Sequence, residues 1–182
     1  MKTECIVLIG MAGVGKSTVG RLLANALGFD FIDLDERIIK KKGKPIREII
    51  DEEGEEAFLN AEKREMHNID VKRTVIAPGG SIVYHSDLMR DLKENTTLVF
   101  LDDAFENIDA KLVNASTRGI VGLKSKSLRQ IYDERRPLYV KYADISLNCQ
   151  GMFPNQIVRE IMRRYLELRT CEGRGIDIEI HK

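Results

Sequence analysis

Apolar residues recur along this chain in two rhythms that take turns. Short runs at Ile6 to Ile9, Phe29 to Ile32, Arg73 to Ala77, Thr97 to Leu101 and Asp144 to Leu147 read as strands. Between them the apolar positions fall at helical spacing. Val19, Leu22, Leu23, Ala26 and Leu27 form one stripe, closed by Gly28 as a C-cap. Ile46, Ile49 and Ile50, then Ala57, Phe58, Ala61 and Met66, predict helix over 46–69, split in two at Gly54. Leu88 to Leu92 predicts a short helix. Pro154 to Leu168 predicts a closing one, with Ile157, Ile161, Tyr165 and Leu168 on one face and Pro in the first turn. Strands alternating with helices predict an α/β fold, a mostly parallel sheet covered on both faces, with ligands at the carboxyl ends of the strands. Two stretches depart from this rhythm. Residues 114–127 mix Ser, Thr, Gly, Lys and Arg without an apolar period and read as a mobile, lid-like flap. The tail 169–182 carries little core pattern, although Ile176, Ile178 and Ile180 alternate with charged residues as an edge strand would.

Composition narrows the class. At 182 residues and 43% hydrophobic content the chain suits one globular domain with a full core. Lys plus Arg equals Asp plus Glu at 29 each, so no general electrostatic pull toward nucleic acid or an anionic membrane is expected, and anion binding must be local. Cys5, Cys149 and Cys171 are widely spaced, with no zinc-like pairing, which suits a reducing compartment. The first apolar run is too short for a signal peptide or a membrane span, so the expected location is the cytosol.

The chemistry begins where the first strand ends. Gly10 to Ser17 fits G-x-x-x-x-G-K-[ST] at every fixed position. In such a phosphate loop, glycines let backbone N–H groups turn inward around phosphate oxygens, Lys16 adds charge, Ser17 offers a hydroxyl to Mg²⁺ and the following helix adds its dipole. Asp33 and Asp35 stand two apart at the end of the second strand, so both side chains are expected on one side of the sheet. One carboxylate suits Mg²⁺, and the other suits an acceptor hydroxyl. The plainer alternative makes Asp35 the N-cap of a following helix.

From here the chain resembles the shikimate kinases. The residues that carry the resemblance are the loop Gly10 to Thr18, Asp33-Leu34-Asp35, Gly54-Glu55 with Phe58 and Glu62, Gly79-Gly80, Arg118, and Arg135 with Pro137-Leu138-Tyr139, in order from about residue 5 to 168. The resemblance implies a three-layer P-loop kinase fold with a five-stranded parallel sheet in the order 2-3-1-4-5. The implied domain is 1–168, with an acceptor region near 34–62 and a lid near 114–127. The donor is then ATP and the cofactor Mg²⁺. Gly13, Val14, Gly15, Lys16, Ser17 and Thr18 would hold the nucleotide phosphates, and Ser17 and Asp33 the metal. Lys111 falls near an adenine-stacking position and Pro154 near one that packs on the base, although helix initiation alone accounts for the proline. Asp35 would bind and activate the acceptor hydroxyl. Arg118 would close over the transferring phosphoryl group, a placement associated with about 10³- to 10⁵-fold in rate. Its alternative is an ordinary solvated arginine. Gly79 and Gly80 would line the acceptor, and Arg135 would pair with the acceptor's carboxylate.

The departures cluster on the acceptor side and the lid. Where the family pattern G-E-x-x-F-R-x-x-E has a carboxylate-binding arginine, this chain has Leu59, a loss of roughly 1.5 to 3 kcal/mol for a charged hydrogen bond. Pro78 and Ser81 flank the glycine pair where the family has other residues, and the lid reads Arg118-Gly119-Ile120-Val121 in place of R-P-L-L. Shikimate is the best single acceptor; the alternatives are a different small hydroxy compound, or an ATP-binding module without turnover. A base-bearing acceptor lacks the extra phosphate-binding arginines it would need. A monomer or weak dimer is expected.

Overall fold

The computed structural model describes residues 2–70, 72–112 and 119–171. Among them the chain runs β1 (Cys5–Ile9), α1 (Lys16–Leu27), β2 (Asp30–Asp33), α2 (Leu34–Lys42), α3 (Ile46–Glu53), α4 (Glu55–His67), β3 (Thr74–Ala77), a 3₁₀ turn (Gly80–Tyr84), α5 (Ser86–Asn95), β4 (Thr97–Asp102), α6 (Phe105–Leu112), α7 (Leu128–Tyr142), β5 (Ile145–Asn148) and α8 (Pro154–Cys171). The strands form one parallel sheet in the order β2-β3-β1-β4-β5, as the resemblance implies.

Strand composition follows position in this sheet. Central β1 is Cys-Ile-Val-Leu-Ile, buried at every position because helices cover both faces. Edge strand β5, Ile-Ser-Leu-Asn, alternates buried and exposed. After β1 the chain crosses to β2 and returns through β3, and only then moves to β4 on the other side. The strand order therefore reverses beside β1, and a crevice opens over the carboxyl ends of β1 and β3.

Several elements differ from the sequence expectation, each for a visible reason. α2 buries only Leu34 and Ile38, too few apolar positions to announce a helix. α7 carries Pro137 inside it, which masks its pattern, but it starts at a capping box of Ser127 and Gln130. α6 is short and buries only Ile108 and Leu112. α8 continues to Cys171 with Arg169 buried beside Glu4, so residues 169–171 belong to the domain and not to a tail. The alternating isoleucines at 176–180 lie outside the described residues. No helix among the described residues is long and apolar enough to cross a membrane.

Candidate active site

The phosphate loop fills the connection from β1 to α1. Gly15 takes φ 101°, a left-handed backbone that glycine adopts without strain, and no side chain caps the first turn of α1, which also carries no acid. A helix N-terminus left open in this way is suited to an anion. Lys16 is buried, and its Nζ donates to the carbonyls of Gly10 and Met11 at 2.9 Å each, so the loop curls around its own ammonium. Burial pushes its pKa down to about 8, against the pull of Asp35 and Asp33.

Asp33 closes β2 and caps α2. Its Oδ1 accepts from the Glu36 N–H at 3.1 Å and its Oδ2 from the Ser17 hydroxyl at 2.5 Å. This corrects the sequence reading in two respects. The N-cap is Asp33 and not Asp35, and the two carboxylates do not share a side by strand alternation, because the strand ends at Asp33 and Asp35 lies in the first turn of α2. The helical turn still brings both to one cavity.

That cavity, of about 850 Å³, lies over the sheet's carboxyl edge. Gly13, Gly15, Lys16, Ser17, Thr18 and Lys111 line one end; Asp35, Phe58, Gly79, Gly80, Ser81 and Arg135 line the other. Val14 is buried in the core, and its N–H turns back to the Met11 carbonyl at 3.4 Å. Lys111 flanks Gly13 and pairs with Asp103 at 3.0 Å. Pro154 sits exposed at the start of α8 and does not line the cavity. Leu59 is half-buried, packed against the core and outside the cavity lining.

Arg135, on α7, is 1% exposed. Its Nε donates to the Tyr84 hydroxyl at 3.1 Å, its Nη2 to the Val121 carbonyl at 2.8 Å, and the guanidinium lies over the Tyr84 ring at 4.9 Å. Its Nη1 stands at Gly80, 3.1 Å from where a Cβ on that glycine would sit, on the cavity wall that both residues line. Arg136 faces outward and grips Asp102 at 2.6 to 3.2 Å, and of the two neighbouring arginines Arg135 is the one that lines the cavity. Tyr139, its phenol pushed up by burial, donates to the Gly80 carbonyl at 2.6 Å and so fixes the glycine turn. Sequence reading does not single out Tyr84, which lies 51 residues from Arg135, and no local signal marks it.

Arg118 lies outside the described residues. Its neighbours 119–127 are not a free flap. Gly119 packs on Ile46 and Arg47, Val121 is buried, the Gly122 N–H donates to Glu55 Oε1 at 2.7 Å, and Lys124 pairs with Asp51 at 2.9 Å. Residues 119–124 are thus docked on α3 and α4.

The arrangement suits a nucleoside triphosphate and a divalent cation. Among the described residues no group of three or more His, Cys, Asp or Glu gathers to hold a metal. Ser17 with Asp33 offers a hydroxyl and a carboxylate, the oxygen set that Mg²⁺ takes when phosphates and waters complete its shell.

A family profile for shikimate kinase matches residues 12–166. The chain belongs to the shikimate kinase family. A shikimate kinase of Persephonella marina is 38% identical over 160 residues, 87% of this chain and 97% of that protein. One from Thermodesulfovibrio yellowstonii is 35% identical over 166 residues, 90% of this chain and 95% of that protein. The shikimate kinase of Acinetobacter baumannii, solved in complex with shikimate, superposes with a TM-score of 0.85 at 28% identity, covering 92% of this chain and 95% of that one. In this family the fold is a P-loop kinase fold and the chemistry is phosphoryl transfer from ATP with Mg²⁺ to an alcohol.

Proposed function

We propose that this shikimate kinase family member transfers the γ-phosphoryl group of ATP to a ring hydroxyl of shikimate, giving shikimate 3-phosphate and ADP, a step of aromatic amino acid biosynthesis. The observation that carries the reading is a single cavity with the phosphate loop at one end and Asp35 and Arg135 at the other. Lys16 and the loop N–H groups bind the phosphates. Ser17 and Asp33 would hold Mg²⁺, which would offset phosphate charge. Arg135 takes the acceptor's carboxylate with its remaining N–H groups. Asp35 accepts the proton as the acceptor's O–H bond gives way to an O–P bond and the bond to the ADP oxygen breaks. Arg118 is assigned the charge over the transferring group. Lys111 and Pro154 are assigned the adenine, and Gly79 and Gly80 the acceptor wall.

A second reading, a different small hydroxy acceptor, is favoured by Leu59, which leaves Arg135 as the one arginine among the described lining residues, where Lys16 and Lys111 are the other cations. An ADP-release assay with Mg-ATP and shikimate beside a panel of small hydroxy acids and polyols, with Lys16→Ala as blank, tests both. Turnover with shikimate supports the first reading, turnover with another acceptor alone the second, and ATP binding without any turnover a non-catalytic module. We place the protein in the cytosol, a reading supported by its free cysteines, as a monomer or weak dimer.

A further inference from the structure

Where the family pattern has an arginine three residues before the glutamate of α4, this chain has Leu59 and Glu62. Glu62 is 0% exposed. The Ser81 hydroxyl lies 3.1 Å and 2.9 Å from its two oxygens. On the far side, His85 Nε2 approaches Glu62 Oε2 at 3.6 Å, too long for a hydrogen bond. Ser81 lines the cavity and Glu62 does not, so Glu62 stands behind Ser81 as seen from a ligand. A Cβ on Gly79 would meet Glu62 Oε1 at 2.6 Å, Asp35 Oδ1 at 2.9 Å and Ser81 Oγ at 3.6 Å. The bare glycine is what lets the three groups share one patch of wall.

We infer that Ser81, held by Glu62, is a specificity-determining residue that accepts a hydrogen bond from an acceptor hydroxyl next to the one Asp35 activates. The inference rests on the proposed kinase reading. A serine hydroxyl has one proton and two lone pairs, and a carboxylate can only accept. With its proton given to Glu62, Ser81 presents only lone pairs to the cavity. The group that meets it must therefore donate, as a hydroxyl does; a carboxylate placed there would face oxygen lone pairs and a second carboxylate behind them. The acceptor's carboxylate is thereby directed to Arg135, and recognition that an arginine at position 59 would supply through charge is supplied in part through the ring hydroxyls. Glu62 is a positioning residue, since it acts through Ser81.

The test compares shikimate with its analogue lacking one hydroxyl beside the phosphorylated carbon, in wild type, Ser81→Ala and Glu62→Gln, with thermal melts on each. In wild type, removal of the hydroxyl that Ser81 meets is expected to lower kcat/KM about five- to tenfold. Ser81→Ala should raise the KM for shikimate by a similar factor, leave the KM for ATP and kcat within twofold, and cause no further loss on the deoxy analogue. Glu62→Gln, whose amide can donate to Ser81 and release its proton toward the cavity, should also raise the acceptor KM alone. A folded Ser81→Ala with unchanged acceptor KM, or with equal losses on both compounds, would overturn the inference. If either variant melts too low to assay, wild type decides: indifference to each single hydroxyl removal overturns it. Should shikimate fail but another acceptor be turned over, the functional reading fails alone, and the same cycle on that acceptor and its deoxy partner decides the role of Ser81. No turnover with any acceptor would overturn both.

Discussion

The phosphate end of the cavity is made mainly from one continuous piece of chain, with Lys111 added from α6, whereas the acceptor end is made from residues delivered by α2, α4, the 3₁₀ turn, the docked segment 119–121 and α7. At the first end the groups that matter are backbone N–H groups and a lysine held by carbonyls five and six residues away. At the second, Arg135 is held by Tyr84 and Val121, 51 and 14 residues away, and Ser81 by Glu62, 19 away. A backbone cradle tolerates little sequence change, so the loop matches its motif at every fixed position. A wall of separate side chains can be rebuilt one residue at a time, and here Pro78 and Ser81 depart from the family pattern within the lining and Leu59 departs outside it. The donor half of the reaction is thus written more rigidly than the acceptor half.

Substitutions should expose this asymmetry. Lys16→Ala should break the donor end outright, reducing ADP release to the blank with every acceptor; a measurable kcat would show that the loop backbone suffices. Arg118→Ala should lower kcat by about 10³-fold or more while raising the KM for ATP far less, because the contact is made mainly in the transition state. Near-normal kcat would remove Arg118 from the reaction.

The pH dependence should be confined to the donor end. Lys16, pushed down to about 8 by burial, loses its proton as pH rises through that value, so kcat/KM for ATP should fall above about pH 8 in the free enzyme. The sign for stability is opposite. Between about pH 8 and the ordinary lysine value of 10.5 the unfolded chain keeps a proton that the folded chain has released, so this group's contribution to stability rises with pH over that window. Paired profiles of kcat/KM and melting temperature check both signs; a fall in both together would assign the titration to another group.

The smallest effect is expected at the acceptor end. Leu59→Arg, which restores the family's charge, should lower the KM for shikimate by about tenfold. No gain would show that Glu62, already engaged by Ser81, no longer accommodates an arginine.

The same asymmetry governs what the sequence discloses. The loop, the β-strands, α1 and the break at Gly54 are legible because their signals are local: an apolar run, a stripe, a glycine. Arg135 is legible through the resemblance alone, whose pattern selects it over Arg136, and the structure buries the first and pairs the second with Asp102. Asp33 reads as a metal candidate but not as a cap, because its bond to Glu36 depends on where β2 stops. Tyr84 and the Ser81–Glu62 pair are invisible in one dimension, since each is a contact between distant segments. The lid reads as a flap because nothing local reports Glu55 reaching the Gly122 N–H, 67 residues on.

In the proposed complex Arg135 holds the acceptor's carboxylate with no second arginine from α4. The most direct measurement is the ratio of kcat/KM for shikimate to that for its methyl ester in the wild-type enzyme. One charged hydrogen-bonding partner predicts a preference for the acid of roughly 10- to 150-fold. A ratio near one would contradict the account, because Arg135 would then not be reading a carboxylate at all.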